Sequence, residues 1–367
     1  MTEAPVLTAD ERRDALVGKL FMGGIEALDL LSVYLGDRLG LYRALADRGP
    51  LAPGELAEAA GIHERYAREW LEQQAASGIL DLEEDSDDPS ERRMRLPAGH
   101  DEALLDRDSL NYVAPLGQML VALARPIHEV MQAYRDGGGL PFEAYGADLY
   151  EGQAGFTRPL YLNLLGQEWL PAATAINDRL LADPPARVAD VACGGGISSI
   201  AIARAYPTVH VDGIDFDPPS IELAKRHLAE NPDVAGRVEF RCGDAADPDL
   251  AGRYDLVTIF EALHDMSYPV KALEAARGLL VEGGSVLVVD ERTADRLEAP
   301  AGEFERFLYG ASIFHCLLVG MVGEGAAGTG TVMRVETVER YAEEAGFGGF
   351  EVLPIEHDFY RFYRLTP

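Results

Sequence analysis

Three aspartates and one glycine-rich turn provide the residue types from which a ligand site could be built. Asp190 stands just before Gly194–Gly196, Asp215 closes the next apolar run, and Asp244 follows the one after that. A carboxylate at a strand end can accept hydrogen bonds from ribose hydroxyls or from the exocyclic amine of adenine, and Phe216 offers an apolar face to the ring. Each aspartate alone is a common turn former. Their joint placement predicts a site for a nucleoside-like ligand.

The turn lies in the stretch RVADVACGGGISSI, Arg187 to Ile200, in which an apolar run ends in three glycines and a helix of small residues follows. Such a strand–turn–helix unit directs backbone N–H groups and the positive end of a helix dipole at an anionic ligand. A dinucleotide fingerprint needs a third glycine three positions after Gly196, where this chain has Ser199, so a pyrophosphate site is disfavoured. An ordinary strand-to-helix loop remains the alternative.

The elements that must position these residues alternate between strand and helix from Arg187 onward. Units of this length imply a parallel sheet with helices on both faces. The last two apolar runs are too close together for a crossover, so they predict an antiparallel hairpin. The predicted strands are Val188–Val191, Val209–Ile214, Val238–Arg241, Leu256–Phe260, Ser285–Val289, Phe350–Ile355 and Phe359–Leu365, and the helices include Ser220–Glu230 and Pro269–Leu280.

The first part of the chain has a different pattern, typical of a mostly helical domain. Apolar residues recur at three-to-four spacing through residues 11–48, and a helix–turn–helix followed by a short strand pair then indicates a winged helix. Its second helix, His63–Ala76, carries more glutamates than arginines, which disfavours DNA binding and favours a dimerisation domain. We place the two domains at residues 1–145 and 146–367.

Composition narrows the class of protein further. A formal net charge of −30 repels nucleic acid phosphates and anionic membranes, and the chain has no apolar run long enough for a membrane span. Its three cysteines, Cys193, Cys242 and Cys316, are far apart and form no CxxC pair, which argues against a disulfide framework and against zinc. With no secretory pattern at its start, the sequence predicts a cytoplasmic protein without nucleic acid, membrane or metal partners.

The successive motifs VADVACGGG, GIDFD, RCGDA, YDLVTIFEALHD and LVEGGSVLVVDE resemble, in this order, those of class I S-adenosylmethionine-dependent methyltransferases. The resemblance covers about residues 187–367 and implies a Rossmann-like α/β sheet with S-adenosylmethionine as cofactor. Ala192 replaces the first glycine of the family's turn, from which we expect a slight shift of the loop. The residues expected to bind the cofactor are Asp190, Ala192, Gly194, Gly196, Asp215, Phe216, Gly243, Asp244, Ala245, Phe260 and Glu261.

The stretch LGLYRALADRGPLAPGELAEAAGIHERYAREWLEQQAASGIL is similar to the winged-helix dimerisation domain of plant-type and bacterial small-molecule O-methyltransferases. This similarity implies a homodimer, a small-molecule hydroxyl as acceptor and a role in secondary metabolism. In that subfamily the His of a His-Asp pair after strand four is the general base, which implies that role for His264, although Met266 replaces the usual Trp. We expect Asp265 to cap the next helix or orient the loop, and Glu291 to hold the imidazole.

An apolar helix predicted over Phe304–Met321 carries His315 beside Cys316, and its sequence with the following glycines looks like that of a group of actinobacterial methyltransferases. We expect this helix to form a wall of the acceptor pocket and Gly323–Gly330 to be a flexible joint. The residues expected to bind the acceptor are Tyr112, Tyr161, His264 and His315. The alternatives are an N- or C-methyltransferase, a non-methylating enzyme on the same fold, or a winged-helix regulator that senses a ligand.

Overall fold

The computed structural model describes residues 7–367 of a chain that divides into two compact units, Met1–Val121 and Ala122–Pro367. The predicted domain boundary after residue 145 lies later than this division, because residues 122–145 pack within the second unit in a cluster that contains Val130, Tyr145 and Leu318. The assignment of dimerisation to residues 1–145 and of cofactor binding to residues 146–367 stays a prediction. Within residues 7–367, no helix has both the length and the apolar character that crossing a membrane requires.

The first unit is the winged-helix arrangement that the sequence predicts. Its core packs the three short helices against a small antiparallel sheet, with Leu45, Leu56, Leu71 and Met94 buried together. The elements are α1 (Ala9–Arg38), α2 (Leu41–Arg48), α3 (Pro53–Ala60), α4 (Glu64–Ala76), β1 (Asp81–Glu84), β2 (Arg93–Arg95) and α5 (His100–Leu105), and α6 (Pro115–Ala124) runs across the division between the units.

Helix α1 begins at a capping box, in which Thr8 and Glu11 exchange side-chain and backbone hydrogen bonds. Only its C-terminal part is packed: at Gly36 an added Cβ would lie 2.4 Å from the Tyr42 ring and 2.6 Å from Trp70. The preceding turns expose a series of large apolar side chains, namely Leu16, Val17, Leu20, Phe21, Met22 and Leu28. This apolar surface is far larger than a short winged helix can cover with its own residues.

The second unit begins with helices and continues as the predicted alternation of strand and helix. Its strands are β3 (Arg187–Val191), β4 (His210–Asp215), β5 (Val238–Cys242), β6 (Tyr254–Phe260), β7 (Leu280–Glu291), β8 (Gly349–Val352) and β9 (Tyr360–Thr366). Its helices are α7 (Ile127–Asp136), α8 (Ala147–Leu160), α9 (Leu170–Ala172), α10 (Thr174–Leu181), α11 (Ile197–Ala205), α12 (Pro218–Ala229), α13 (Pro269–Leu279), α14 (Glu303–Ala311), α15 (Leu317–Gly320) and α16 (Val335–Glu344).

Seven strands form one mixed sheet in the order β5-β4-β3-β6-β7-β9-β8. The first five of these are parallel, whereas β9 runs antiparallel to both β7 and β8, which confirms the predicted C-terminal hairpin. The register pairs Val191 with Ile214 and with Ile259, and Phe260 with Val289. The carboxyl ends of the central parallel strands therefore meet at one edge, and the residues after them share it.

Asp215 closes β4 as predicted, and most strand ends lie within one or two residues of those predicted. Two boundaries differ by more: β8 ends at Val352 and not at Ile355, and β7 starts at Leu280, before the glycine pair that was expected to precede it. Gly283 takes a left-handed backbone with φ of 81°, which lets the chain continue as one strand through a sequence that otherwise signals a turn.

Candidate functional site

The glycine turn after β3 requires a left-handed backbone at three positions. Gly194 has φ of 50°, Gly196 has φ of 72°, and Ala192 has φ of 58°. At Gly196 an added Cβ would lie 2.3 Å from the Phe240 ring, whereas around Gly194 there is open space. The alanine in place of the family's glycine thus adopts the conformation that glycine favours, which costs about 1–2 kcal/mol for an L-residue. The turn keeps the shape in which Gly196 caps α11.

Asp190 holds this turn from inside the protein. One of its carboxylate oxygens accepts the hydroxyls of Ser198 and Ser199, both at 2.6 Å, and the other accepts Thr258 Oγ1 at 2.8 Å. The side chain is buried, and burial raises its pKa while the three hydroxyls oppose that shift. Asp190 therefore fastens the start of α11 to β3 and β6. Ser199, where a dinucleotide fingerprint has glycine, is one of its partners.

Asp215 lies at the end of β4 beside the same turn. Its carboxylate accepts the backbone N–H groups of Gly194 and Asp217, each at 2.9 Å, and burial raises its pKa. The Phe216 ring beside it is 69% exposed, which leaves an apolar face open next to a buried carboxylate. Gly243 donates to the Asp215 carbonyl at 2.9 Å, so the segment after β5 is tied to the same strand end.

The segment after β5 continues from Gly243 through Asp244 and Ala245. One oxygen of the exposed Asp244 carboxylate accepts the N–H of Ala246 at 2.9 Å, in a turn that fixes the direction of the side chain. Ala245 is partly buried against the core. This segment thus presents one carboxylate on a small, ordered loop.

His264 lies in a short turn, Leu263–Asp265, that follows β6, and the end of β7 lies against it. Its Nδ1 is 2.8 Å from an Asp290 carboxylate oxygen and 3.0 Å from one of Glu291, and its Nε2 is 3.1 Å from one of Asp265. Both ring nitrogens are thus within ion-pair distance of a carboxylate. The side chain is only 4% exposed.

The charges of this cluster shift the pKa values of its members in opposite directions. Burial alone lowers the pKa of His264, but Asp290, Glu291 and Asp265 together raise it well above 6.5. The pKa of Asp265 falls to about 2, because His264 and its other partners outweigh burial, whereas burial and the neighbouring Asp290 raise the pKa of Glu291 well above its usual value. The carboxylates around the imidazole therefore favour its protonated form, whereas burial and the neighbouring Asp290 favour the neutral form of Glu291.

The sequence identified only part of this cluster. Glu291 does approach the imidazole as expected, but the hydrogen-bond partner of Nδ1 is Asp290, which the sequence analysis missed. The available signal was a carboxylate directly after the apolar run Val286–Val289 and still within β7, a costly position for a buried charge without a partner. Asp265 does not cap the next helix, since the N-cap residue of α13 is Tyr268 and makes no side-chain cap bond.

Glu261 forms a second buried group beside the histidine cluster. The Tyr161 hydroxyl donates to its carboxylate at 2.6 Å, and Tyr360, which the sequence analysis missed, donates as well. Burial raises the pKa of Glu261 and holds both phenol pKa values well above 10. Glu261 also has a left-handed backbone, with φ of 51°. Such strain in a non-glycine residue is concentrated at functional sites. The Phe260 ring packs 5.5 Å from that of Tyr161.

His315 approaches the cluster from a different element. It lies in a π-helical turn, Ser312–Cys316, between α14 and α15, and its Nδ1 is 3.9 Å from Asp265 and 3.5 Å from the Cys316 sulfur. The Tyr145 and Phe142 rings meet it edge-on at 4.7 and 5.7 Å. Its Nε2 is buried and makes no hydrogen bond to the part of the chain that the structure describes. Burial lowers its pKa.

The remaining acceptor residues lie in different surroundings. Tyr161 begins another π-helical stretch, Tyr161–Trp169, and such turns are frequent at functional sites. Tyr112 is buried in the core of the first unit. The glycines of Gly323–Gly330 are closely packed: an added Cβ would lie 2.3 Å from Met321 at Gly328 and 2.5 Å from Ser312 at Gly330. The flexibility expected of this segment stays a prediction.

Within residues 7–367, two groups of side chains place their donor atoms close enough to share a cation, one with Cys316 and one with Glu291, and both include His264. Because each ring nitrogen of His264 already lies at ion-pair distance from a carboxylate, we assign no metal to either group. A metal-free site stays a prediction.

Two parts of the chain match known families. Residues 189–286 match a family described as a methyltransferase domain, and residues 27–107 match the Rv2258c-like winged HTH domain. The chain therefore carries a methyltransferase domain preceded by a winged helix-turn-helix domain, as the sequence predicts.

Curated relatives align with the chain over part of their length. A Bordetella avium ubiquinone biosynthesis O-methyltransferase is 34% identical over 167 residues, which is 44% of this chain and 62% of the relative. The mitochondrial Candida albicans protein of the same name is 35% identical over 107 residues, 29% of this chain and 33% of the relative. The chain thus spans between one third and two thirds of these two relatives.

Solved structures match over nearly the whole chain. The mitomycin 7-O-methyltransferase MmcR has 20% identity and a TM-score of 0.69, with 98% of both chains covered. Human N-acetylserotonin methyltransferase, solved in complex with SAM, has 17% identity and a TM-score of 0.67, with 98% of this chain and 99% of that one covered. At these identities the likeness shows the fold, which confirms the predicted architecture.

Proposed function

We propose that this chain, which carries a methyltransferase domain behind a winged helix-turn-helix domain, transfers a methyl group from S-adenosylmethionine to a hydroxyl of a small molecule. The observation that carries the proposal is the shared strand-end edge, where the glycine turn, Asp215 and the His264 cluster meet. The O-methyltransferase names of the relatives and of the similar structures support the hydroxyl as acceptor.

The residues of the glycine turn fit a donor that carries a ribose, an adenine and an amino-acid end. The N-terminus of α11 with its glycine turn suits a carboxylate, the Asp215 carboxylate suits two ribose hydroxyls, and the open Phe216 face suits adenine. Asp244 has a carboxylate oxygen left for an exocyclic amine. When bound, the sulfonium donor supplies a methyl group that is already electrophilic, so the protein mainly aligns donor and acceptor.

The other predicted cofactor residues keep supporting roles in this proposal. Gly243 and Ala245 shape the loop that presents Asp244, and Ala192 sets the path of the turn. Phe260 ends β6 and Glu261 follows it, just before the turn that carries His264, and in this proposal they would face the sulfonium end.

On the acceptor side we propose His264, His315 and Tyr161, all of which belong to the second unit, and the role expected of Tyr112 stays a prediction. Removal of the hydroxyl proton calls for an imidazole near neutral pH. The sequence names His264 as that base and Glu291 as its support, and a hydroxyl acceptor then requires that His264 first lose the proton that its carboxylates stabilise.

Two alternatives remain. An N- or C-methyltransferase, or a non-methylating enzyme, could use the same donor site without a base at His264. A DNA-binding regulator is disfavoured by helix α4, in which Arg65 pairs with Glu69, while Glu72 pairs with Arg92 of the wing, so two arginine charges of this surface are neutralised.

The proposal is tested by calorimetry with S-adenosylhomocysteine. Asp215→Ala should weaken binding by about 1.5–3 kcal/mol, because a charge-assisted pair of ribose hydrogen bonds is lost. Asp215→Asn keeps the shape of the side chain, so it shows whether a loss of affinity comes from the missing charge or from a disturbed fold. Asp88→Ala is the matched control, since Asp88 likewise accepts a backbone N–H, from Ser90 in the first unit, and should leave affinity unchanged.

Absence of S-adenosylhomocysteine binding by the wild-type chain would contradict the proposal outright. Unchanged affinity in both Asp215 variants would remove that residue from the donor site. The acceptor atom is tested by incubating the chain with S-adenosylmethionine and a panel of small phenols, amines and carbon acids, and by identifying the methylated product by mass.

A further inference from the structure

We propose that His227, on helix α12, positions the glycine turn for the amino-acid end of the methyl donor. The inference rests on the proposed function and adds a residue that the sequence analysis did not single out. It starts from one hydrogen bond: His227 Nδ1 lies 2.8 Å from the carbonyl oxygen of Gly195, the central residue of the turn. A carbonyl oxygen can only accept, so Nδ1 carries a ring proton and is the hydrogen-bond donor.

This bond joins two elements that pack directly against each other. His227 lies in the last turn of α12 and is only 8% exposed, so water competes little for its ring. A Cβ added at Gly195 would lie 2.9 Å from Ala154 on α8, 3.4 Å from Leu223 and 3.5 Å from the His227 ring. Helices α8 and α12 therefore approach the turn so closely that a side chain at position 195 would displace one of them.

The hydrogen bond fixes the orientation of one peptide group in the turn. The carbonyl of Gly195 and the N–H of Gly196 belong to the same planar peptide. His227 holds that carbonyl, and the N–H of Gly196 donates to the Cys193 carbonyl at 2.8 Å. The peptide therefore cannot rotate without breaking both bonds. Such bonds matter in a run of glycines, because no Cβ limits the backbone dihedrals there.

The neighbouring N–H group is the one that this arrangement leaves for a ligand. Asp215 accepts the Gly194 N–H at 2.9 Å, whereas the Gly195 N–H donates to no acceptor within residues 7–367. It lies between two groups of fixed orientation, just before α11, where the helix dipole favours a carboxylate. In the proposed complex this N–H donates to the carboxylate of the methyl donor, and His227 acts on that carboxylate only through Gly195.

Loss of the His227 bond should weaken one end of the bound ligand selectively. The peptide between Gly195 and Gly196 would gain rotational freedom, and the turn would have to be ordered again on binding. The cost is that of one net hydrogen bond, which corresponds to about 3- to 10-fold in affinity. The loss should fall on ligands that carry an amino-acid end. A histidine that merely supported the fold would weaken every ligand of the site alike.

The test compares two ligands in variants of the full-length chain by calorimetry. S-Adenosylhomocysteine carries the amino-acid end, whereas 5′-methylthioadenosine, measured by competition against it, does not. His227→Leu should weaken S-adenosylhomocysteine by about 3- to 10-fold and leave the affinity for 5′-methylthioadenosine unchanged within about twofold. His227→Asn should restore the affinity for S-adenosylhomocysteine to within about twofold of the wild type, because its side-chain amide can donate to the same carbonyl.

His100→Leu is the matched control. The Nδ1 atom of His100 likewise lies 2.9 Å from a backbone carbonyl, that of Ile79, so this variant removes a bond of the same kind within the first unit. It should leave both affinities unchanged. If His227→Leu does not fold, His227→Gln takes its place, since it keeps a polar side chain but carries its amide beyond the position of Nδ1.

Three results would overturn the proposal: unchanged affinity for S-adenosylhomocysteine in His227→Leu, an equal loss for both ligands, or no recovery in His227→Asn. Absence of S-adenosylhomocysteine binding by the wild-type chain would instead refute the donor site itself. The failure of the inference is therefore distinguishable from the failure of the proposed function.

Discussion

The glycine turn allows a prediction in which two neighbouring substitutions have different consequences. Gly194→Ala and Gly196→Ala both place an L-residue on a left-handed backbone, at φ of 50° and 72°. That conformation costs about 1–2 kcal/mol in either variant. Only at Gly196 would the new methyl group collide with the core, at 2.3 Å from the Phe240 ring and 2.9 Å from Ala224.

The collision adds an overpacking cost of about 1–3 kcal/mol, so Gly196→Ala should lose about 2–5 kcal/mol of unfolding free energy in total. Gly194→Ala should lose only the backbone cost, but its methyl group enters the open space in which we place the donor, so it should weaken binding of S-adenosylhomocysteine more than it lowers stability. Ala192→Gly is a control that should raise stability. It removes the strain of an alanine with a left-handed backbone and should increase the unfolding free energy by up to about 1 kcal/mol.

Tryptophan fluorescence can report the unfolding of each unit separately, because Trp70 lies in the first unit and Trp169 in the second. In a Trp70→Phe background, urea unfolding followed by fluorescence reports only the second unit. Phe240→Leu should recover part of the loss in Gly196→Ala by opening space at the contact. Equal losses for Gly194→Ala and Gly196→Ala, with no recovery, would refute the role assigned to the Phe240 contact.

Two further predictions concern assembly and pH. We expect a homodimer formed through the exposed apolar face of α1, so light scattering should give twice the chain mass of 39.8 kDa, and Leu20→Glu with Phe21→Glu should give the monomer; a wild-type monomer at micromolar concentration would contradict this. The second prediction compares the unfolding free energies of the wild-type chain and of His264→Gln. The wild-type value should be the higher one, and the difference should be largest below pH 6.5. The carboxylates stabilise the protonated ring only in the folded state, so the difference should shrink by about 1.4 kcal/mol per pH unit as pH rises toward the raised pKa of His264. A difference constant from pH 6 to pH 9 would show that His264 does not titrate with folding.

Much of the second unit could be predicted because its signals are local. Apolar runs of strand length, separated by helices, give the parallel sheet and therefore the edge at which Asp215 and His264 both lie. The winged helix is equally local, since its turns and short strands follow each other in sequence. The misassigned start of β7 has a non-local cause: Gly283 signals a turn, but Leu280 before it and Ser285 after it both pair with β6, so the strand continues across an irregularity.

The roles of individual side chains depended on contacts that no local pattern contains. Asp190 has the placement of a ligand-binding acid, yet Ser198, Ser199 and Thr258 occupy its carboxylate. Sequence spacing identified both Asp215 and Asp190 as candidate ligand-binding acids. It could not show that the Asp190 carboxylate is already occupied, because one of the hydroxyls that occupy it belongs to Thr258 on β6. The fold alone brings that strand beside β3.

The same limit applies with greater consequence to the two histidines. The family resemblance implies that His264 is the base, but the end of β7 brings two carboxylates to its Nδ1, and Asp265 lies 3.1 Å from its Nε2. His315, on a π-helical turn far along the chain, lies near Asp265 and Cys316 and meets the Tyr145 and Phe142 rings edge-on, and no spacing pattern predicts these contacts. The charges around His264 come from the turn after β6, which carries Asp265, and from the end of β7, which carries Asp290 and Glu291. A motif can therefore locate a candidate histidine, while the folded chain decides which charged groups lie against it.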